Sequence, residues 1–281
     1  MINILFWNIN KKSGFEQTLA DIVKSESIDI LILAEAMNVD IQKMEALSGL
    51  THSDVVMSQD SIALTPKLFS NNNGFKVEHY NTYPNTKRMI FYFLEISGRK
   101  PILLTALHMR SKLMRDKETQ IGEASKHGSY ISQVEDNLRR TIVVGDFNVN
   151  PYELGMISPM GFNATSSKMV AKQVKRKFMK DNYPFFYSPL WSSLGDIEYS
   201  SGINKLPGNY FFDNSDSVLL TYWNVIDNVL VRPELFSEFD FTSVRFIESS
   251  GQHTLVQKSG DSYHIDKVNY SDHLPLKFKI I

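Results

Sequence analysis

The residue types that could do chemistry fall at the ends of apolar runs. Asn8 follows Ile2–Trp7, Glu35 follows Ile28–Ala34, His108 follows Ile102–Leu107, and Asp146 follows Thr141–Gly145. Asp272 and His273 stand just before the last apolar run, Leu274–Ile281. If that last run is a strand antiparallel to the others, its start lies on the same rim as their ends. One cleft then collects carboxylates, imidazoles and amides, and loops at one rim of a rigid sheet are where catalytic groups usually sit. The sharpest segment is Val143-Val144-Gly145-Asp146-Phe147-Asn148. The glycine is expected to let the backbone turn as the strand ends. Asp146 and Asn148, two apart, can then point together into the cleft, one as a charge or base and the other as a neutral donor and acceptor. Such a pair can hold a phosphate oxygen or a water and supply a charge or a base beside it.

The elements that must position these residues follow from hydrophobic periodicity. Ile2–Trp7 and Ile28–Ala34 read as buried strands. Between them Phe15, Leu19, Ile22 and Val23 mark a helix, with Ser13 and Glu16 in capping-box spacing. Further strands are expected at Met89–Ile96, Ile102–Leu107, Thr141–Gly145, Asn224–Val231 and Leu274–Ile281. A long helix is expected over Asp116–Leu138, with Ile121, Ala124, Gly128, Ile131 and Leu138 as its apolar stripe. Asn71-Asn72-Asn73-Gly74 reads as a hairpin turn. Gly155–Asp216 is the least regular part. No repeat, low-complexity tract or linker divides the chain, so residues 1–281 are expected to form a single domain.

The motifs resemble those of the endonuclease/exonuclease/phosphatase superfamily, which includes pancreatic deoxyribonuclease, abasic-site endonucleases, bacterial sphingomyelinases and inositol polyphosphate 5-phosphatases. Phe6-Trp7-Asn8, Leu33-Ala34-Glu35, Thr105-Ala106-Leu107-His108, Gly145-Asp146-Phe147-Asn148, Val225-Ile226-Asp227-Asn228 and Ser271-Asp272-His273-Leu274-Pro275 occur in the family's order along the whole chain. The resemblance implies a four-layer α/β sandwich, two mostly antiparallel sheets flanked by helices. It implies catalysis by His108, Asp146, Asn148, Asp227 and His273, with Asp227 fixing the orientation of His273. Either Asp146 or His273 is then the general base. Glu35, Asn8 and Asp272 are the implied ligands of Mg²⁺, for which Mn²⁺ can substitute. Arg88, Arg110 and Lys112 are expected to bind substrate phosphate. His108 resembles the deoxyribonuclease, sphingomyelinase and 5-phosphatase branches. Met89 stands where the deoxyribonuclease has an acidic partner for that histidine.

Composition narrows the rest. With 42% hydrophobic and 22% charged residues the chain is an ordinary globular sequence. A formal net charge of −1 gives it no large field to collect nucleic acid, so basic surface has to be local. Lys168–Lys180 is the one concentrated candidate, and reads equally as a solvated helix face. The absence of cysteine excludes disulfides, thiolate metal sites and a cysteine nucleophile, and accords with a reducing cytoplasm. Met1–Asn8 enters a strand at once and is read as structural, and no apolar run is long enough to cross a membrane. A cytoplasmic location without a membrane anchor is therefore expected. The aromatic residues Phe185, Phe186, Tyr187, Trp191, Tyr210, Phe211, Phe212 and Trp223 are read as core packing more than as a base-stacking platform. The expected function is a Mg²⁺-dependent nuclease acting on DNA or RNA. A phosphatase or phosphodiesterase on a small-molecule or lipid phosphate, and a non-catalytic binding module, are the alternatives. Tyr222-Trp223-Asn224-Val225-Ile226-Asp227 lacks the 5-phosphatase hallmark, which lowers inositol phosphates as substrates.

Overall fold

In the computed structural model, residues 1–53, 64–80, 88–111, 117–196, 206–213, 221–259 and 262–281 are described. The first strand, β1 (Ile2–Asn8), is apolar at nearly every position because both its faces are covered. Ile4 and Phe6 point into a core shared by two sheets. Leu5 and Trp7 point the other way, against Leu19, Ile22 and Val23 of helix α1 (Glu16–Ser25). β2 (Ile30–Ala34) lies parallel to β1, with Asn8 level with Ala34, so α1 is the crossover of a strand–helix–strand unit.

The first sheet continues through β3 (Thr51–His52) and β4 (Lys67–Ser70). β5 (Phe75–His79), β6 (Met89–Ile96), β7 (Ile102–His108) and β8 (Thr141–Asp146) open the second sheet. β7 and β8 are parallel and are joined through the long helix Lys117–Glu135. Ala124, Ile131 and Val134 of that helix cover Leu103, Leu107 and Val143 on the outer face. β9 (Ala164–Thr165), the hairpin β10 (Lys175–Phe178) and β11 (Asp181–Pro184), and β12 (Phe186–Tyr187) follow. Next come β13 (Tyr210–Phe211), β14 (Trp223–Asn224), β15 (Asp227–Val231) and β16 (Phe239–Phe246). Two hairpins, β17 (Ser249–Ser250) with β18 (His253–Thr254) and β19 (Val256–Ser259) with β20 (Ser262–Ile265), precede β21 (Leu276–Ile280).

The six-stranded sheet has the order β16-β21-β1-β2-β4-β3 and the seven-stranded sheet β5-β6-β7-β8-β15-β12-β9. With helices outside both, this is the four-layer α/β sandwich. β21 runs antiparallel to β1, so residues just before it share a rim with residues just after β1 and β2. Among the described residues no helix is long and apolar enough to cross a membrane.

Several local expectations change. Ser13 does not cap α1. Phe15 is the N-cap residue and Glu16 turns away to accept from the Asp40 N–H at 3.0 Å and Lys43 Nζ at 3.0 Å, tying α1 to α2 (Ile41–Ser48). Asn71–Gly74 has turn chemistry, with Asn72 at φ 51° and Gly74 at φ 78°. Yet it carries the chain from one sheet to the other and closes no hairpin. Val225 and Ile226 leave the strand expected to start at Asn224 because their N–H groups donate to the Asn150 and Asn209 side chains. Pro275 lacks an N–H, so β21 begins at Leu276. The basic run is one helical turn, Lys168–Ala171, followed by the exposed strand β10.

Candidate active site

A cleft of about 460 Å³ opens where the two sheets meet at this rim. The six-stranded sheet brings Asn8, Glu35, Asp272 and His273 to it, and the seven-stranded sheet brings His108, Asp146 and Asn148. Arg88 and Arg110 also line it, whereas Lys112 lies outside the described residues. None of His52, His79, His127, His253 or His264 lines this cleft.

β7, β8 and β15 lie side by side, and their register sets His108 level with Asp146 and Asp146 level with Asp227. That spacing depends on Gly145. A Cβ there would overlap the Leu107 carbonyl of β7, so the glycine serves close strand approach, not the turn expected from sequence. Asp146 is buried and fixed by two donors. Its Oδ1 accepts from the Asn148 N–H at 2.8 Å and its Oδ2 from Asn8 Nδ2 at 2.9 Å. The second contact crosses from one sheet to the other. Asn148, at φ 52°, donates Nδ2 to the Met109 carbonyl at 2.9 Å.

Glu35 also has a left-handed backbone, at φ 50°, which turns its side chain off the end of β2 into the cleft. Positive φ in a non-glycine residue is costly and concentrates at functional sites. The His108 ring, whose Nε2 is 3.5 Å from Glu35 Oε1, does most to pull the Glu35 carboxyl down to about 2, and Lys11 at 3.6 Å and Asn8 add to it. Glu35 is therefore ionised at neutral pH. His108 Nε2 also lies 3.9 Å from Asp146 Oδ2. The acidic neighbours missing at Met89 thus come from Glu35 and Asp146, while His108 Nδ1 is buried with no hydrogen-bond partner among the described residues.

His273 is held from three sides. Its Nδ1 bonds Asp227 Oδ2 at 2.9 Å, its carbonyl accepts from Trp7 Nε1 at 2.8 Å, and its ring lies against Tyr210 at 4.7 Å between centroids. Burial alone would lower its pKa, but Asp227, with Asp146 and Asp272 behind it, holds His273 above the ordinary histidine range. Asp227 is completely buried, and burial pushes it up against the pull of His273. Asn209 Nδ2 donates to the same Asp227 oxygen at 2.6 Å. Asp227 Oδ2 accepts both bonds, and with the surrounding acids holding His273 protonated the pair is carboxylate and imidazolium.

The donors on offer fit a hard divalent cation. Glu35 is ionised and partly open to the cleft, Asn8 Oδ1 takes only the Asn10 N–H, at 3.0 Å, among the described residues, and Asp272 lines the same wall. Asp146, Asp227 and His273 also bring ligand atoms within 4.8 Å of one another. There, however, Asp227 Oδ2 and His273 Nδ1 are spent on each other, so the Glu35 side is the better-suited seat.

No protein-family model matches the sequence, and no curated protein matches it. Solved structures do. A mannosyl-6-phosphatase from Bacteroides thetaiotaomicron superposes with a TM-score of 0.59 at 14% identity, over 100% of both chains. The endonuclease domain of TRAS1, a telomere-specific non-LTR retrotransposon, gives 0.57 at 12% identity, over 100% of this chain and 98% of that one. An AP endonuclease from Archaeoglobus fulgidus gives 0.51 at 15% identity, over 100% and 99%. This is the endonuclease/exonuclease/phosphatase fold.

Two residues that line the cleft of this endonuclease/exonuclease/phosphatase fold, Lys11 and Tyr210, and one behind it, Asn209, were not expected from sequence. Asn209 is fully buried and braces Asp227, but it sits in Pro207-Gly208-Asn209, which reads as a turn. Lys11 reaches Glu35 from the polar segment that follows β1. Tyr210 was taken for core, yet it lines the cleft. Burial first, and then the surrounding acids, push its hydroxyl up to about 12, so it stays protonated as a donor. Phe185 and Phe186 are buried as expected.

Proposed function

We propose that this chain is a divalent-metal-dependent phosphodiesterase, and specifically a nuclease. One observation carries the reading: Asn8, Glu35, His108, Asp146, Asn148, Asp272 and His273, drawn from both sheets, surround a single cleft, with Asp227 fixing His273 from behind. A non-catalytic module has no need for that convergence. Arg88 and Arg110 add positive charge to the rim for a phosphate beside the scissile one.

Imidazolium His273 offers its Nε2–H to a phosphate oxygen and stabilises the charge that develops as water attacks phosphorus. Because His273 already carries its proton, Asp146 is the base that takes the proton of the attacking water. Its two hydrogen bonds aim it, and Asn148 lines the same wall. The new phosphorus–oxygen bond forms as the bond to the leaving oxygen breaks. His108 Nε2, between Glu35 and Asp146, is placed to bond or protonate that oxygen. Mg²⁺, or Mn²⁺ in its place, would be held by Glu35 with Asn8 and Asp272, and when bound supplies charge opposite the phosphate oxygens. Residues 1–281 act as one domain in this reading, supported by the pairing of β1 with β21 across the ends of the chain.

The test is turnover of plasmid DNA, single-stranded RNA, a chromogenic phosphodiester and sugar phosphates, each with Mg²⁺ or EDTA. The nuclease reading expects metal-dependent cleavage of nucleic acid, reduced about 10²–10⁴-fold in Asp146→Ala and His273→Ala. Turnover of sugar phosphates alone would replace it with a small-molecule phosphatase. That second reading is favoured by the fit to the mannosyl-6-phosphatase and by the net charge of −1.

A further inference from the structure

A second cavity, of about 320 Å³, lies away from the cleft and shares none of its lining residues. Its floor is the outer face of the long helix, where Ser125, Gly128 and Ser129 are all small. A Cβ on Gly128 would overlap the Gly161 carbonyl, so the chain passes close to the helix there and leaves the recess beside it. Tyr183 and Phe186 form aromatic walls. Arg232 closes the back, stacked on Phe186 at 3.6 Å and paired with Glu135 at 2.5 Å.

Asn163 lines the recess with 3% of its surface exposed. Its Nδ2 is spent on the Tyr183 and Pro184 carbonyls at 3.0 and 3.2 Å, whereas its Oδ1 has no hydrogen-bond partner among the described residues. A buried acceptor left unmatched is costly unless a ligand or water supplies a donor. A volume at the lower end of the roughly 300–1,000 Å³ typical of ligand pockets suits a single ring.

The rim supplies charge. In the hairpin of β10 and β11, Lys175, Arg176 and Lys177 stand opposite Pro184, Tyr183 and Asn182, and those three partners line the cavity. All three cations are exposed, and Lys180 at the turn adds a fourth against a single acid, Asp181. This is the basic run picked out by sequence, and the cleft makes no use of it.

We propose that the second cavity and its basic rim form an exosite for single-stranded nucleic acid, which seats one unstacked base in the recess and flanking phosphates on Lys175, Arg176 and Lys177. A base brings a flat face for Tyr183 and an N–H donor for Asn163 Oδ1, while Phe186, covered by Arg232, only closes the recess behind it. Sequence-tolerant strand binding combines such stacking with a cationic track. An acidic peptide would use the cations but leave the recess idle. The proposal rests on the nuclease reading only in its choice of ligand.

The experiment is equilibrium binding of a fluorescein-labelled oligodeoxynucleotide, and of the RNA of the same sequence, to the full chain in EDTA across a salt series. An abasic strand of equal length and poly-glutamate serve as controls. Neutralising Lys175, Arg176 and Lys177 to Gln is expected to lower the log–log salt slope by about 2, at roughly 0.7 per phosphate on a single strand. Ser129→Trp, which fills the recess from an exposed helical position, is expected to weaken the base-bearing strand about tenfold and leave the slope unchanged, an effect in the range of one lost stacking contact. The abasic strand should bind wild type as weakly as the base-bearing strand binds Ser129→Trp. Turnover of the chromogenic phosphodiester should be unaltered in both variants. Unchanged slope in the triple variant, equal binding of abasic and base-bearing strands, or poly-glutamate binding as well as the strand would each overturn the exosite. If the strand binds as stated but Mg²⁺ gives no cleavage, the exosite stands and the nuclease reading falls.

Discussion

The two sheets contribute unequally to the cleft. The six-stranded sheet offers Glu35 and Asp272 on the open side of the cleft, with the Glu35 side chain 23% exposed and reachable by Lys11, beside the buried Asn8 and His273. The seven-stranded sheet offers Asp146 and Asp227 from adjacent strand ends, both essentially fully buried and held by short hydrogen bonds. Two contacts stitch the halves together, Asn8 to Asp146 and His273 to Asp227. An ion that exchanges with solvent needs an accessible seat, whereas a base and an oriented imidazolium need fixed geometry. The open side at Glu35 and Asp272 therefore suits cation binding, and the buried group where the sheets meet, Asp146 and Asp227 with His273, suits proton transfer.

The largest effect should come from breaking the stitch at its proton-handling end. Asp227→Asn keeps the shape but removes the charge that holds His273 protonated, so turnover should fall about 10³-fold with little change in thermal stability. Loss of stability with turnover intact would make the pair structural. Glu35→Gln tests the open side. The Mg²⁺ concentration giving half-maximal activity should rise at least about 10–100-fold, the cost typical even of outer-shell groups at metal sites. An unchanged requirement would move the ion to the Asp146, Asp227 and His273 group.

Stability effects come next. The Glu135–Arg232 pair under the seven-stranded sheet is almost fully buried, and Glu135 also accepts from Thr141 at 2.6 Å. Glu135→Ala strands a buried guanidinium and should cost about 3–5 kcal/mol in denaturant unfolding. On the six-stranded side, Glu26 meets Arg245 of β16 at 2.6 Å and Lys277 of β21 at 2.8 Å. Burial works to raise Glu26, but Lys277 and Arg245 prevail and hold it below its ordinary 4.5. A carboxyl lowered in the folded state contributes stability above its unfolded pKa and loses it as pH falls through the folded one. Glu26→Gln should therefore cost under about 1 kcal/mol at neutral pH and nothing in acid well below pH 4.5.

Buried strands and the contacts between distant segments were also unequally legible in sequence. Strands covered on both faces read as unbroken apolar runs, so β1, β2, β6, β7 and β8 could be placed closely and the cleft-lining polar residues found at their ends. Contacts between distant segments leave no such trace. Asn209 braces Asp227 across 18 positions, and its Pro-Gly-Asn setting points to a turn. Tyr210 lines the cleft while Phe186 packs in the core, a difference of placement that an aromatic-rich stretch does not announce. Gly145 was singled out, but its reason, the nearness of Leu107, belongs to strand pairing. The basic run could be seen but not its hairpin form, because Lys and Arg serve helix and strand surfaces equally well.

The indole of Trp7 deserves a use of its own. It is completely buried, and its N–H is bonded to the carbonyl of His273. Tryptophan emission shifts with the polarity and hydrogen bonding around the ring, so Trp7 is a built-in optical gauge of the histidine's peptide. Replacing Trp191 and Trp223 with Phe would leave Trp7 as the sole emitter among the three tryptophans. Occupancy of the cleft by a cation or a phosphate could then be titrated by light, without an added dye and without waiting for turnover.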